Sequence, residues 1–174
     1  MRNIFIMGKA GSGKDTVAEI LRDMYRYNPI AFADYIRSEY SRFYPDQNPR
    51  TDRKKLQEIG ETYKKIYGEN VWVRLLLEDI TFLIEPGQYV VTDGRHQIEY
   101  DTFVAKEKYV PIFVDCPDEI RYERLLKRDG TLQEEALKKE CQDLWSANAF
   151  HLDNSGTIKQ LEYRIYELLK RVGR

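Results

Sequence analysis

Ile4-Phe5-Ile6-Met7-Gly8-Lys9-Ala10-Gly11-Ser12-Gly13-Lys14-Asp15-Thr16-Val17-Ala18 decides how this chain folds. A four-residue apolar run leads into Gly-x-x-x-x-Gly-Lys, and an amphipathic stretch follows it. That order is strand, phosphate loop, helix. The spacing has a physical reason. A triphosphate needs many donors in a small concavity, and backbone N–H groups supply them only where side chains stay clear. Gly8, Gly11 and Gly13 permit that approach, with Ala10 and Ser12 completing the loop. The helix begins near Gly13, so its unpaired N–H groups and positive dipole end also face the phosphates. Lys14 would reach the β- and γ-phosphates as a point charge. The residue after this lysine is usually Ser or Thr, whose hydroxyl holds magnesium; here it is Asp15, followed by Thr16. A carboxylate there could hold the cation directly or through water. It also adds negative charge, so Mg²⁺ should be needed to offset it.

Working outward, four short apolar runs read as buried strands: Ile4 to Met7, Ile30 to Ala33, Tyr89 to Thr92 and Val110 to Val114, with a weaker fifth at Phe150 to Leu152. Between them the periodicity is helical. Asp15 to Tyr27 places Val17, Ile20, Leu21 and Met24 on one face, and Arg53 to Tyr67 does so with Leu56, Ile59, Tyr63 and Ile66. Val71 to Ile84 is more apolar, and Ile158, Leu161, Ile165, Leu168 and Val172 mark a last helix. Strand-helix alternation of this kind predicts an α/β fold, a parallel sheet with helices on both faces. Residues 34–86, almost all helical, and 117–148, helical and charged, read as excursions from one core domain.

Composition narrows the class. The chain has 174 residues, 28 Lys+Arg against 29 Asp+Glu, and 42% hydrophobic residues. Near-neutral charge offers no electrostatic reason for nucleic-acid or membrane binding. No apolar run approaches the ~18 residues of a membrane span. Cys116 and Cys141 cannot form a disulfide framework or a structural zinc site. A cytoplasmic protein is expected. The oligomeric state is open, with a homodimer among the possibilities.

A guanine-reading Asn-Lys-x-Asp is absent from the sequence, which argues against a GTPase. The remaining charged residues suit a small kinase. An acceptor phosphate needs cations, and Arg37, Arg50 and Arg53 follow the second strand. Each taken alone would read as solvated surface. Asp93-Gly94-Arg95 ends the third strand, and ligands of open parallel sheets bind beyond strand carboxyl ends. Asp93 could hold the Mg²⁺ shell or accept a proton; Arg95 could hold a phosphate. Arg121, Arg124 and Arg128 share a helix face closed by Asp129-Gly130. A basic face beside a turn is how a lid delivers arginines to a γ-phosphate. Asn154-Ser155-Gly156 follows the last strand as a turn.

These residues carry a resemblance. Gly-Lys-Ala-Gly-Ser-Gly-Lys-Asp-Thr-Val-Ala, Phe32-Ala33-Asp34-Tyr35-Ile36-Arg37, Asp52-Arg53 with Leu56-Gln57-Glu58-Ile59-Gly60, and Val71-Trp72-Val73 resemble the phosphate-loop nucleoside monophosphate kinases, in particular phage-type deoxynucleoside monophosphate kinases. Val114-Asp115-Cys116-Pro117, Arg124-Leu125-Leu126-Lys127-Arg128-Asp129-Gly130 and Asp153-Asn154-Ser155-Gly156-Thr157 look like dephospho-CoA kinase. The resemblance implies a three-layer sandwich of five parallel strands in order 2-3-1-4-5, ATP and Mg²⁺ as cofactors, and a small-molecule phosphate acceptor. It implies catalytic roles for Lys14, Asp93, Arg124 and Arg128, and acceptor contacts from Asp34, Arg37, Arg53 and Arg95. Metal binding falls to Asp15, Thr16 and Asp93, and the adenine to the loop of Asn154, Ser155 and Gly156. The expected reaction is γ-phosphoryl transfer to a (deoxy)nucleoside monophosphate. Dephospho-CoA is the alternative acceptor, and a non-catalytic nucleotide-binding module is the alternative of another class.

Overall fold

The computed structural model describes residues 2–49, 52–82, 87–130 and 148–173. Five strands form one parallel sheet in the order β2-β3-β1-β4-β5. They are β1 Ile4–Met7, β2 Asn28–Ile30, β3 Tyr89–Val91, β4 Val110–Asp115 and β5 Phe150–Asp153. Helices cover both faces, as expected of a phosphate-loop kinase fold. Those described are α1 Lys14–Tyr25, α2 Phe32–Phe43, α3 Arg53–Tyr67, α4 Val71–Phe82, α5 Gln97–Tyr100 running into a π-helical turn at Asp101–Lys106, α6 Asp118–Asp129 and α7 Ile158–Val172.

The chain divides into two compact units: Met1–Pro29 with Gly87–Arg174, and Ile30–Pro86. The first holds the sheet core. Alternation along the strands sends Ile4, Ile6, Val90, Val110, Ile112, Val114 and Leu152 to one face, against Val17 and Leu21 of α1 and Leu161, Ile165 and Leu168 of α7. Phe5 points to the other face. Its ring stacks on Phe103 at 6.0 Å and meets Tyr100 edge-on at 6.4 Å. The helical unit packs on its own aromatic residues. Tyr63 stacks on Trp72 at 5.0 Å, and the Trp72 indole donates to Gly60 O at 3.3 Å.

One strand differs from its sequence reading. Ile30 to Ala33 was expected to be extended, but β2 is Asn28–Ile30 and Phe32 already opens α2. The apolar run straddles two elements. Phe32 and Tyr40 are buried two helical turns apart on one face of α2. The first helix also stops early: Arg26 turns left-handed at φ 60 and ends α1. Tyr27 then returns to the core, its hydroxyl donating to Arg2 O at 3.0 Å. Arg50, residues 131–147 of the expected lid and Cys141 lie outside the described residues.

Candidate functional site

The phosphate loop hangs between β1 and α1, and its shape is held by what binds its carbonyls. Lys14 Nζ donates to Gly8 O at 2.6 Å and Lys9 O at 3.2 Å. Arg121 Nε donates to Ala10 O at 2.8 Å. Asn154 Nδ2 donates to Ser12 O at 2.7 Å, joined by Arg124 Nη1 at 3.4 Å. Side chains from α6 and from the turn after β5 thus fix the course of a glycine-rich backbone, the kind of loop whose N–H groups form an anion site. Gly13 closes the loop at φ 92, and a Cβ there would lie 2.1 Å from Asn154 Nδ2. No other residue meets both demands. Among the described residues, Ser12 Oγ is the buried side-chain polar atom without a hydrogen-bond partner. A buried hydroxyl left in that state is costly unless a ligand satisfies it.

Asn154 and Arg124 are thus seen in places the sequence did not indicate. Asn154 is 4% exposed and braces the loop, its own N–H bonded to Asp115 O at 2.8 Å. Ser155 and Gly156 form the exposed turn beyond it, with Ser155 N–H on Asp153 Oδ1 at 3.0 Å. The Ser155 side chain, hydrogen-bonded to the same carboxylate, is the first cause of the lowered Asp153 pKa, and the backbone bond adds to it. Arg124 also donates to Asn154 O at 3.1 Å and Cys116 Sγ at 3.4 Å. Burial pushes the Cys116 thiol up, against the pull of Arg124 and Arg121. Arg128 is different. It is exposed in the last turn of α6, paired with Asp129 at 2.7 Å. That hydrogen bond raises its pKa, and the Asp15 carboxylate adds to the effect. The three arginines of one face therefore separate into two loop contacts and one exposed cation.

Asp15 is exposed on the first turn of α1, with Thr16 beside it half-buried. Asp93 is half-buried after β3 and Arg95 exposed. The turn between them rests on the core: a Cβ on Gly94 would stand 2.3 Å from Phe5 Cζ. Glu99, 6% exposed, accepts the N–H groups of Arg95 at 2.6 Å and His96 at 2.9 Å. Sequence reading missed Glu99 and left the loop contact of Arg121 unseen. For Glu99 the signal is its place three residues after His96, the spacing of a capping box; for Arg121 only a charged residue on the apolar side of its helix hints at the contact. In the helical unit Arg37 pairs with Asp34 at 2.5 Å, and Arg53 opens α3 behind Asp52, which caps that helix by accepting Lys55 N–H.

An N–H-lined loop after β1, a lysine at its end and a sheet of this order define a phosphate-loop protein of kinase-like fold. Residues 4–144 match the AAA domain family, and the chain belongs to that family. It is 27% identical over 154 residues to human adenylate kinase isoenzyme 1, covering 83% of this chain and 75% of that protein. It is 27% identical over 201 aligned positions to dephospho-CoA kinase of Aquifex aeolicus, covering 98% and 99%. Its fold matches shikimate kinase from Acinetobacter baumannii with a TM-score of 0.64 at 18% identity, over 98% and 94% of the two chains. Among the described residues no helix is long and apolar enough to cross a membrane.

Proposed function

We propose that this chain is a cytoplasmic enzyme that transfers the γ-phosphoryl group of ATP, with Mg²⁺, to a nucleoside monophosphate, a deoxynucleotide in particular. The observation that carries the reading is the construction of the loop. Its carbonyls at Ala10 and Ser12 are bound by Arg121 and Asn154, its lysine sits on the loop itself, and one buried hydroxyl lacks a partner. Bound ATP supplies the electrophilic phosphorus and Mg²⁺ the compensating charge. Positioning and electrostatics are this chain's part. Lys14 and the loop backbone at Gly8, Ala10, Gly11 and Gly13 would bind phosphate oxygens, and Ser12, whose N–H is bonded to Lys9 O at 3.1 Å, would offer its hydroxyl. Asp15, Thr16 and Asp93 offer hard oxygen donors, the ligand type Mg²⁺ takes. Arg128 is the cation proposed for charge developing on the transferred group. Arg124 and the turn at Asn154, Ser155 and Gly156 flank the base. An acceptor phosphate is already ionised, so it needs cations and no strong base. Arg95 on the core, and Asp34, Arg37 and Arg53 on the helical unit, are the residues proposed to recognise it.

The second reading is dephospho-CoA as acceptor, supported by a match that covers 98% of this chain and 99% of that enzyme. That acceptor presents a neutral hydroxyl, and Asp34 or Asp93 would take its proton. One experiment separates the readings. ADP release is measured with each deoxynucleoside monophosphate, each ribonucleotide and dephospho-CoA under one condition. The expected result is turnover with at least one deoxynucleoside monophosphate. Turnover on dephospho-CoA alone selects the second reading. ATP binding without turnover on any of them identifies a binding module.

A further inference from the structure

Arg121 is the buried cation among the described residues, 2% exposed. Its guanidinium reaches from α6 to Ala10 O, 111 residues earlier in the chain, while Nη1 is bonded to Asp118 one turn back on the same helix. The backbone of this residue meets the loop as well: a Cβ on Gly11 would stand 2.7 Å from Arg121 O. Helix α6 therefore holds the loop by main chain and side chain together.

We propose that Arg121, oriented by Asp118, is a positioning residue that keeps the phosphate loop open from behind for the phosphates of a nucleotide. The inference rests on the nucleotide-binding reading above. A guanidinium stays charged in any protein, and burying it is unfavourable unless it is paired. A methionine or glutamine would fill similar space without that cost, so core packing alone does not account for the residue. Its planar fork does: Nε serves the loop while Nη1 is fixed by a carboxylate, a division that a lysine ammonium cannot reproduce. The timing matters too. Lys14 now holds Gly8 O and Lys9 O, and the same ammonium is the group a phosphate requires. When Lys14 turns to the ligand, those carbonyls lose its contacts. Arg121 and Asn154 then carry the outer side of the loop. Arg121 also places positive charge behind an anion site without occupying it.

The test compares the wild-type chain with Arg121→Met, Arg121→Lys and Asp118→Asn. Calorimetry with Mg²⁺ gives the dissociation constants of ATP and ADP. Steady-state kinetics give KM for ATP and for the best acceptor, and a melting curve reports folding. Arg121→Met is expected to bind ATP at least tenfold more weakly and to raise KM for ATP in proportion, with KM for the acceptor within twofold of wild type. Arg121→Lys should fall between, and Asp118→Asn should show a smaller loss. Should Arg121→Met fail to fold, Arg121→Lys decides on the same criteria. A lowered melting temperature with wild-type ATP affinity overturns the proposal and leaves Arg121 merely structural. A wild-type chain that binds neither ATP nor ADP overturns the nucleotide reading, and the proposal with it.

Discussion

Two arginines of the sheet core make contacts of a kind that differs from the ion pairs on the helical unit. In the core, Arg121 and Arg124 reach across more than a hundred residues of sequence to backbone carbonyls of the phosphate loop. In the helical unit, Arg37, Arg42 and Lys64 pair with Asp34, Glu39 and Glu61, each three residues back on its own helix. A long-range bond to a carbonyl fixes the course of a chain. A short-range pair on a helix surface is worth ~0.3–0.5 kcal/mol and exchanges readily with an incoming anion. One set shapes a site and the other is available to a ligand.

Lys14→Ala is the strongest way to break this contrast. It removes the cation of the site together with the bonds to Gly8 O and Lys9 O. Loss of turnover by about 10²-fold or more is expected, with a cooperative melt retained. Wild-type rates on the true acceptor would show that the loop is not the catalytic centre. Arg37→Ala sharpens the other half. Its ion pair is solvent-exposed, so stability should change by less than ~1 kcal/mol. KM for the acceptor should rise about tenfold, as for a charge-assisted bond of ~1.5 kcal/mol, with KM for ATP unmoved. A change in KM for ATP instead would remove Arg37 from acceptor binding.

The smallest expected effect lies inside the helical unit. Tyr63 donates to Glu39 at 2.5 Å, which is the first cause of the lowered Glu39 pKa, with Arg42 adding to it. The same bond pushes Tyr63 up to about 12. A lowered carboxylate pKa gives stability that is present above its ordinary 4.5 and lost as pH falls through the folded value. The raised tyrosine gives stability that is present below its ordinary 10.0 and lost as pH climbs through about 12. Tyr63→Phe should flatten both limbs of a melting-temperature profile and cost ~1 kcal/mol at neutral pH. An unchanged acid limb would mean that the bond does not persist in solution.

What could be read from the sequence follows the range of the interactions. The phosphate loop is contiguous, so its residues announce it. The bounds of β1, α3 and α7 agree with the sequence reading: β1 is an unbroken apolar run buried throughout, α7 buries one face, and α3 keeps its helical period although Ile66 near its end is 64% exposed. The second strand was misplaced because Ile30 and Phe32 belong to one apolar run but to different elements. Arg121 and Asn154 act on backbone that only the fold brings near, and no spacing encodes that; Glu99 acts locally, on the N–H groups of Arg95 and His96 four and three residues back, as a capping residue does. For Arg124 the helix face was legible, but its partners, Ser12 O and Asn154 O, were not.

Gly94 has a consequence for how mutations here would be read. With the Phe5 ring 2.3 Å from where its Cβ would stand, any side chain at position 94 forces that buried ring to move, so a saturation scan is expected to penalise every substitution there. The dependence also runs the other way. Phe5 lies wholly inside the core, and a smaller residue there would let the 93–95 turn settle inward with its aspartate and arginine. A survey scoring only turnover would count Phe5 among the active-site residues. A survey scoring only abundance would count it as packing. Both would be measuring the same ring.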